Sequence, residues 1–147
     1  MDIFSSRLVD ARNRKQLSQK NVAELAGLKE TTYQNYEYGK VKPSIIKMAR
    51  IADVLNVSLD FLCGRVNTPI ENKEHFAEDL QAVFARSIKI EREKKGKTQK
   101  EMAIFLGVEE RTYQSYELQE AMPHYTKVIE LSDFFETSLD RILGRGE

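Results

Sequence analysis

The sequence has few of the residues that build cross-links or membrane spans: its 147 residues include one cysteine, three prolines and no tryptophan. The lone Cys63 excludes an intramolecular disulfide and any metal site made of several cysteines. A membrane-spanning helix needs roughly 20 apolar residues, whereas the longest stretch without a charged residue, 102–108, has seven. The start of the chain also lacks the segments of a signal peptide. We therefore expect a cytoplasmic protein without a membrane or metal partner.

The sequence also lacks net charge, because 23 basic residues balance 23 acidic ones. Over the whole chain, this balance disfavours nucleic acid as a partner. The charge is unevenly divided, however. Residues 1–70 carry 11 basic and 7 acidic side chains, a balance of +4, and residues 71–147 carry 12 basic and 16 acidic, a balance of −4. The first part of the chain is therefore the one suited to a phosphate backbone.

An internal repeat accounts for this division. A shift of 80 residues aligns 3–65 with 83–145 and gives 21 identities in 63 positions without a gap. The segment TTYQNYE at 31–37, for example, meets RTYQSYE at 111–117. Because a unit of about 60 residues can fold alone, we predict two homologous domains, 1–66 and 79–147, joined by a linker at 67–78.

Helix signals recur in both copies, and strand-like alternation is absent. Ser18 and Thr98 each stand at an N-cap position before apolar residues at helical spacing. Gly27 and Gly107 fit the left-handed conformation that ends a helix. The pattern predicts an all-α fold of two tandem five-helix domains, in which the second and third helices of each domain form a helix-turn-helix.

The linker has two interpretations. Thr68-Pro69-Ile70-Glu71 combines an N-cap residue, a proline suited to a first helical turn and an acidic N3 residue. These signals favour a short turn followed by a long helix that merges into the first helix of the second domain. The alternative is a disordered linker up to about residue 77.

The helix-turn-helix region resembles a known family. The residues that carry the likeness in the first copy are LSQ at 17–19, LAG at 25–27, TYQNYEYGK at 32–40 and SLD at 58–60. In this order and spacing they resemble the phage-repressor-like, or XRE, family of DNA-binding domains, over about 5–65 and again over about 84–145. The resemblance implies that the third helix enters the major groove of double-stranded DNA, with its first turns against the base edges.

The resemblance also implies which residues read the bases. The positions correspond to Glu30, Thr31, Gln34 and Asn35 in the first copy and to Glu110, Arg111, Gln114 and Ser115 in the second. These side chains suit the task, because Asn and Gln pair with adenine, Arg with guanine, Thr with the thymine methyl group and Glu with cytosine. Without the family, polar residues on a short helix would indicate only a solvated surface.

Phosphate contacts are implied at the start of the second helix and after the third. In the family, a glutamine at the position of Gln19 and Gln99 clamps the phosphate backbone, helped by N–H groups at the helix N-terminus. The other phosphate candidates are nearby cations: Arg14, Lys20, Lys40, Lys42 and, in the second copy, Lys100. For each cation the alternative is an ordinary solvated side chain.

The family further implies a structural ion pair between the first helix and the end of the third. It corresponds to Arg12 with Glu37 and, in the second copy, to Arg92 with Glu117. The pair sets the angle of the third helix. Four tyrosines of the third helices, at 33, 36, 113 and 116, could form a stacking platform for single-stranded nucleic acid. They lie opposite the base-reading positions, so we expect them in the core.

The second copy departs from the family where DNA is expected to lie. Gly39-Lys40-Val41-Lys42 becomes Gln119-Glu120-Ala121-Met122, which removes the glycine and both loop lysines. Acidic residues at the start of its third helix also repel phosphate. We therefore predict that the second copy is an accessory DNA reader, or an interface for a homodimer or another protein.

Together these observations predict a sequence-specific, double-stranded DNA-binding transcriptional regulator of bacterial or phage type that needs no cofactor. No nucleophile–base pair, phosphate loop or pair of catalytic acids stands out, so we do not expect an enzyme. The alternative function is that of a protein-interaction module, antirepressor-like or antitoxin-like, which keeps helix-turn-helix folds as scaffolds.

Overall fold

The computed structural model describes residues 2–69 and 79–145, and the chain divides into two compact units, Met1–His75 and Phe76–Glu147. The first unit contains α1 (Ile3–Arg14), α2 (Gln19–Ala26), α3 (Glu30–Glu37), α4 (Ile45–Leu55) and α5 (Leu59–Leu62). The second contains α6 (Leu80–Lys94), α7 (Gln99–Leu106), α8 (Glu110–Glu117), α9 (Tyr125–Phe134) and α10 (Leu139–Ile142). The described residues form no strand, and the predicted all-α fold of two tandem five-helix domains is confirmed.

Side chains next to the helix ends explain where the helices begin and end. The Ser18 hydroxyl accepts from the Asn21 amide at 3.0 Å, and the Asn21 side chain accepts from the Ser18 amide at 3.2 Å. Thr98 and Glu101 make the same reciprocal pair at 3.0 Å in both directions. Both N-caps agree with the sequence prediction. Asn21 completes a capping box that the usual Glu or Gln pattern does not indicate.

The core of each unit is built from the apolar faces of its helices. Phe4 and Leu8 of α1 are buried, as are Ile45 and Leu55 on the apolar stripe of α4, and the second unit likewise buries Phe84 and Ile88 of α6. The four tyrosines of α3 and α8 are also buried, none exposing more than 6% of its surface. They therefore belong to the core, as predicted, and cannot form a stacking platform.

The closing segment of each unit is tied back by arginines. Arg65 forms an ion pair with Asp60 at 2.9 Å, and Arg145 pairs with Asp140 in the second unit. In the first unit alone, Arg7 of α1 donates to the carbonyl groups of Phe61 and Val66 and to Asn67 Oδ1. Its guanidinium also lies 4.4 Å from the centre of the Phe61 ring. Ser87 stands at the corresponding position of the second unit.

The predicted linker falls mainly on residues 70–78, which lie outside the described residues. After them, α6 begins at Leu80 because the Asp79 carboxylate accepts from the Ala82 amide at 3.1 Å. Asp79 itself has a ψ of 92°, which is not helical. Both interpretations of the linker, the merged helix and the disordered segment, concern residues outside the described part of the chain. None of the described helices is both long and apolar enough to cross a bilayer.

Candidate nucleic-acid interface

Each helix-turn-helix is built around a glycine that ends its first helix. Gly27 has φ 71° and ψ 34°, and Gly107 has φ 71° and ψ 33°. This left-handed conformation costs other L-residues about 1–2 kcal/mol, so glycine suits the position. Both turns are predicted by the sequence. They precede α3 and α8, which are called the reading helices below after the role that the family resemblance implies for them.

The end of α3 is held by a buried carboxylate. Glu37, with a side chain only 2% exposed, lies 2.6 Å from Arg12 Nε and 3.0 Å from Arg12 Nη2. Gln19 Nε2 donates to the same carboxylate at 3.0 Å, and Arg12 also donates to the Leu17 carbonyl at 3.0 Å. One carboxylate therefore joins α1, α2 and α3.

The second unit repeats this arrangement. Glu117 lies 2.7 Å from Arg92 Nε and 3.0 Å from Arg92 Nη2, and Gln99 donates to it at 3.1 Å. Arg92 reaches the Lys97 carbonyl at 2.9 Å. Because these distances match those of the first unit closely, each reading helix is supported in the same way within its own unit.

The surroundings of the two pairs keep them ionised. Burial raises the pKa of Glu37, but the hydrogen bonds from Arg12 and Gln19 outweigh burial, so the net pKa is lowered. The hydrogen bond to Glu37 raises the pKa of Arg12. The pKa of Glu117 is lowered by the corresponding balance. Burial raises the pKa of Tyr33, which therefore stays neutral beside the ion pair.

The predicted base-reading residues of the first unit lie together on α3. Glu30 and Thr31 are exposed, and Gln34 and Asn35 are partly exposed. Their spacing of one, four and five residues puts them on one side of a helix, opposite the buried Tyr33. Gln34 Nε2 donates to Glu30 Oε2 at 3.2 Å, which orients the amide group along the helix.

In the second unit the corresponding residues are engaged with one another, with the backbone of α8 or with the following loop. Gln114 donates to Glu110 at 3.4 Å, and Ser115 Oγ donates to the Thr112 carbonyl at 2.6 Å. Arg111 Nη2 lies 3.2 Å and 3.3 Å from the two carboxylate oxygens of Glu120. Sequence reasoning did not predict this ion pair. The available signal was the charge change relative to the first unit: the position of Thr31 gains a positive charge as Arg111, and the position of Lys40 becomes negative as Glu120.

Three of the predicted phosphate-binding cations flank the reading helix of the first unit. Lys20 is exposed at the start of α2, next to Gln19. Lys40 follows α3 directly, and its backbone amide donates to the Asn35 carbonyl at 3.0 Å. Lys42 lies in the same loop, with its amine 3.8 Å from Asp2. In the second unit, Lys100 is exposed beside Gln99 at the start of α7.

Arg14 is not brought together with these cations. An α-helix turns about 200° over two residues, so Arg14 leaves α1 on a different side from Arg12. Its guanidinium lies 3.0 Å from Asp10 and 6.0 Å from the centre of the Phe61 ring. This position is beside α5, and from this geometry we propose that Arg14 makes no phosphate contact. In the described ranges, no group of three or more His, Cys, Asp or Glu residues is arranged to hold a metal ion.

Comparisons with known proteins agree with this architecture. The chain is 38% identical over 71 residues to the cryptic phage CTXphi transcriptional repressor RstR of Vibrio cholerae, which covers 48% of this chain and 62% of that protein. It is 37% identical to the HTH-type transcriptional regulator AnsR of Bacillus subtilis, over 40% of this chain and 51% of that protein. The uncharacterised regulator YqaE of the same organism is also 37% identical, over 41% and 52%. The chain thus spans about half to three-fifths of the length of these relatives.

No solved structure gives a significant match. A helix-turn-helix family model, however, matches the chain twice, at residues 8–62 and 88–142. The first match runs from α1 to the end of α5 and the second from α6 to the end of α10. The chain therefore belongs to the XRE-type helix-turn-helix family, of which it carries two tandem copies.

Proposed function

We propose that this protein is a sequence-specific, double-stranded DNA-binding transcriptional regulator and that α3 of the first unit enters the major groove. The observation that carries the proposal is the polar side of α3, from Glu30 to Asn35, held in place by the buried Arg12–Glu37 pair. The relatives support it, since their names describe transcriptional repressors and regulators.

The charges around α3 supply the general affinity for DNA. Lys20, Lys40 and Lys42 would neutralise phosphates, and Gln19 would add a hydrogen bond at the N-terminus of α2. Contacts of this kind position the protein without reading the sequence. Gln34 and Asn35 would then distinguish bases by pairing with adenine edges.

The test is selection of bound sequences from a random duplex pool by the full chain, followed by affinity measurements across salt concentrations. A regulator of this kind enriches a defined motif, and its affinity falls steeply as salt rises. One enriched half-site or two also reports whether the second unit reads DNA. Absence of binding at low salt would contradict the proposal.

A second candidate function is favoured by apolar residues on the surface of the second unit. Ile104 and Phe105 of α7 are 71% and 51% exposed, and Glu24 stands where the second unit has Ile104. Adjacent exposed apolar side chains are typical of a protein-binding surface. Under this candidate the second unit is an interaction module for a homodimer or another protein. Sedimentation of the full chain and of its Ile104→Glu variant tests for the homodimer, which the substitution would weaken.

A further inference from the structure

The reading helix of the second unit is in contact with the loop that follows it. Arg111, on the first turn of α8, places Nη2 3.2 Å and 3.3 Å from the carboxylate oxygens of Glu120. Both side chains are open to solvent, with 67% and 47% of their surfaces exposed. The ion pair therefore lies on the face where the family presents its base-reading residues.

The first unit provides a comparison within the same chain. Position 111 corresponds to Thr31 and position 120 to Lys40. Thr31 and Lys40 cannot form an ion pair, so the cation after α3 is left for a phosphate. In the second unit the cation has moved onto the reading helix and an anion has taken its place in the loop.

The rest of the second unit keeps the geometry of a DNA reader. Arg92, Glu117 and Gln99 are arranged as their counterparts are in the first unit, at 2.7 Å and 3.1 Å. The Gly107 turn has the same φ and ψ as the Gly27 turn, within a degree. The ion pair that supports the reading helix is therefore retained, and the two units differ at this face in their surface charge.

We propose that the second unit is a DNA reader blocked by its own Glu120; this inference extends the proposed function of the first unit. An arginine fork can bind guanine O6 and N7, but Glu120 engages Nη2 of Arg111, one of the nitrogens that such a fork uses. Its carboxylate also stands where a phosphate would approach, and two anions repel each other. Because the ion pair is exposed, it contributes under about 1 kcal/mol, and one substitution is enough to free the Arg111 side chain.

The experiment measures binding of the full chain to a random-sequence duplex over a range of salt concentrations. Glu120→Gln frees Arg111 and raises affinity by up to about fivefold, the limit for an exposed pair. Glu120→Lys also restores a loop cation, so the slope of log affinity against log salt becomes steeper by about 0.9. Adding Arg111→Thr, the residue of the first unit, to Glu120→Gln reduces its gain to the part that comes from removing an anion near the phosphates.

Glu130→Lys is the matched control, because it makes the same charge change on α9, where Glu130 lies 3.8 Å from Lys127. Equal gains from Glu130→Lys and Glu120→Lys, or a Glu120→Gln gain that Arg111→Thr leaves undiminished, would overturn the inference. Circular dichroism checks that each variant remains folded. Two outcomes separate this inference from the proposed function of the first unit. If Lys40→Glu loses binding and Glu120→Lys gains none, the blocked second unit is wrong and the role of the first unit stands. If the wild-type chain does not bind and Glu120→Lys does, the role of the first unit is wrong and the blocked second unit stands.

Discussion

Glu37 and Arg12 lie 25 residues apart in sequence, and their side chains meet at 2.6 Å inside the first unit. Their contact joins α1 to the last turn of α3, so the orientation of the reading helix depends on this carboxylate. The second unit has the same contact, between Arg92 and Glu117 at 2.7 Å, so each experiment on the first pair can be repeated on the second.

Removal of Arg12 should destabilise the first unit strongly. Arg12→Ala leaves the Glu37 carboxylate buried without its main partner, which costs about 3–5 kcal/mol in comparable pairs. Calorimetry of the full chain should show a markedly lower unfolding temperature for one transition. Arg14→Ala is the control, since its pair with Asp10 is exposed and such pairs contribute under about 1 kcal/mol. An unchanged thermal profile for Arg12→Ala would contradict the stabilising role.

The stabilisation by Glu37 should disappear in acid. Its pKa is lowered from the ordinary value of 4.5, so the folded state favours the carboxylate. The contribution is fully present above about pH 4.5 and is lost as the pH falls through the lower folded-state pKa. Urea unfolding from about pH 7 to about pH 3 should therefore show a constant gap between wild type and Glu37→Gln above that value, and a closing gap below it. A gap that widened in acid would reverse the sign we derive.

The loop after α8 contains a strained residue that its counterpart avoids. Gln119 has φ 63°, whereas Gly39 occupies the same position with φ 75°. Gln119→Gly should stabilise the second unit by about 1 kcal/mol, because the left-handed conformation costs non-glycine residues about that much or more. The reciprocal Gly39→Gln should destabilise the first unit by a similar amount, since an added Cβ meets only ordinary contact, 3.4 Å from Ser5 Oγ. Thermal unfolding of both variants checks the pair, and shifts of equal sign would refute the explanation.

Two substitutions in the first unit should separate general from sequence-specific DNA binding. Lys40→Gln removes one phosphate cation, so affinity should fall on every sequence and the salt slope should become shallower by about 0.9. Asn35→Ala should instead cost about 1–3 kcal/mol on the selected site and relax the preference there. Binding assays on selected and random duplexes measure both. Arg14→Gln, on the other side of α1, should change neither quantity.

The helices and their caps were predictable because their signals are local. Ser18 and Gly27 act within a few residues of their own positions, so spacing alone identifies them. The Arg12–Glu37 contact depends on how three helices pack, and it was expected only through the family resemblance. Local pattern also could not tell on which side of α1 Arg14 lies, because that depends on Arg12 facing Glu37.

The pairing of Arg111 with Glu120 was beyond sequence reasoning for another reason. The eight residues between them include the end of α8 and a turn at Gln119 with positive φ. The path of that turn decides which way Glu120 points, and neither helical periodicity nor composition specifies it. The charge changes between the two copies could have indicated the pair only once they were placed in three dimensions.

The contacts of Arg7 bear on how the first unit can be dissected. The family match ends at residue 62, yet Arg7 binds Val66 and Asn67 beyond that point. A fragment cut at the end of the match would leave this arginine with two of its partners missing. An excised first unit should therefore extend at least through Asn67, whereas the second unit, which has Ser87 in place of Arg7, should extend at least through Arg145, the buried partner of Asp140.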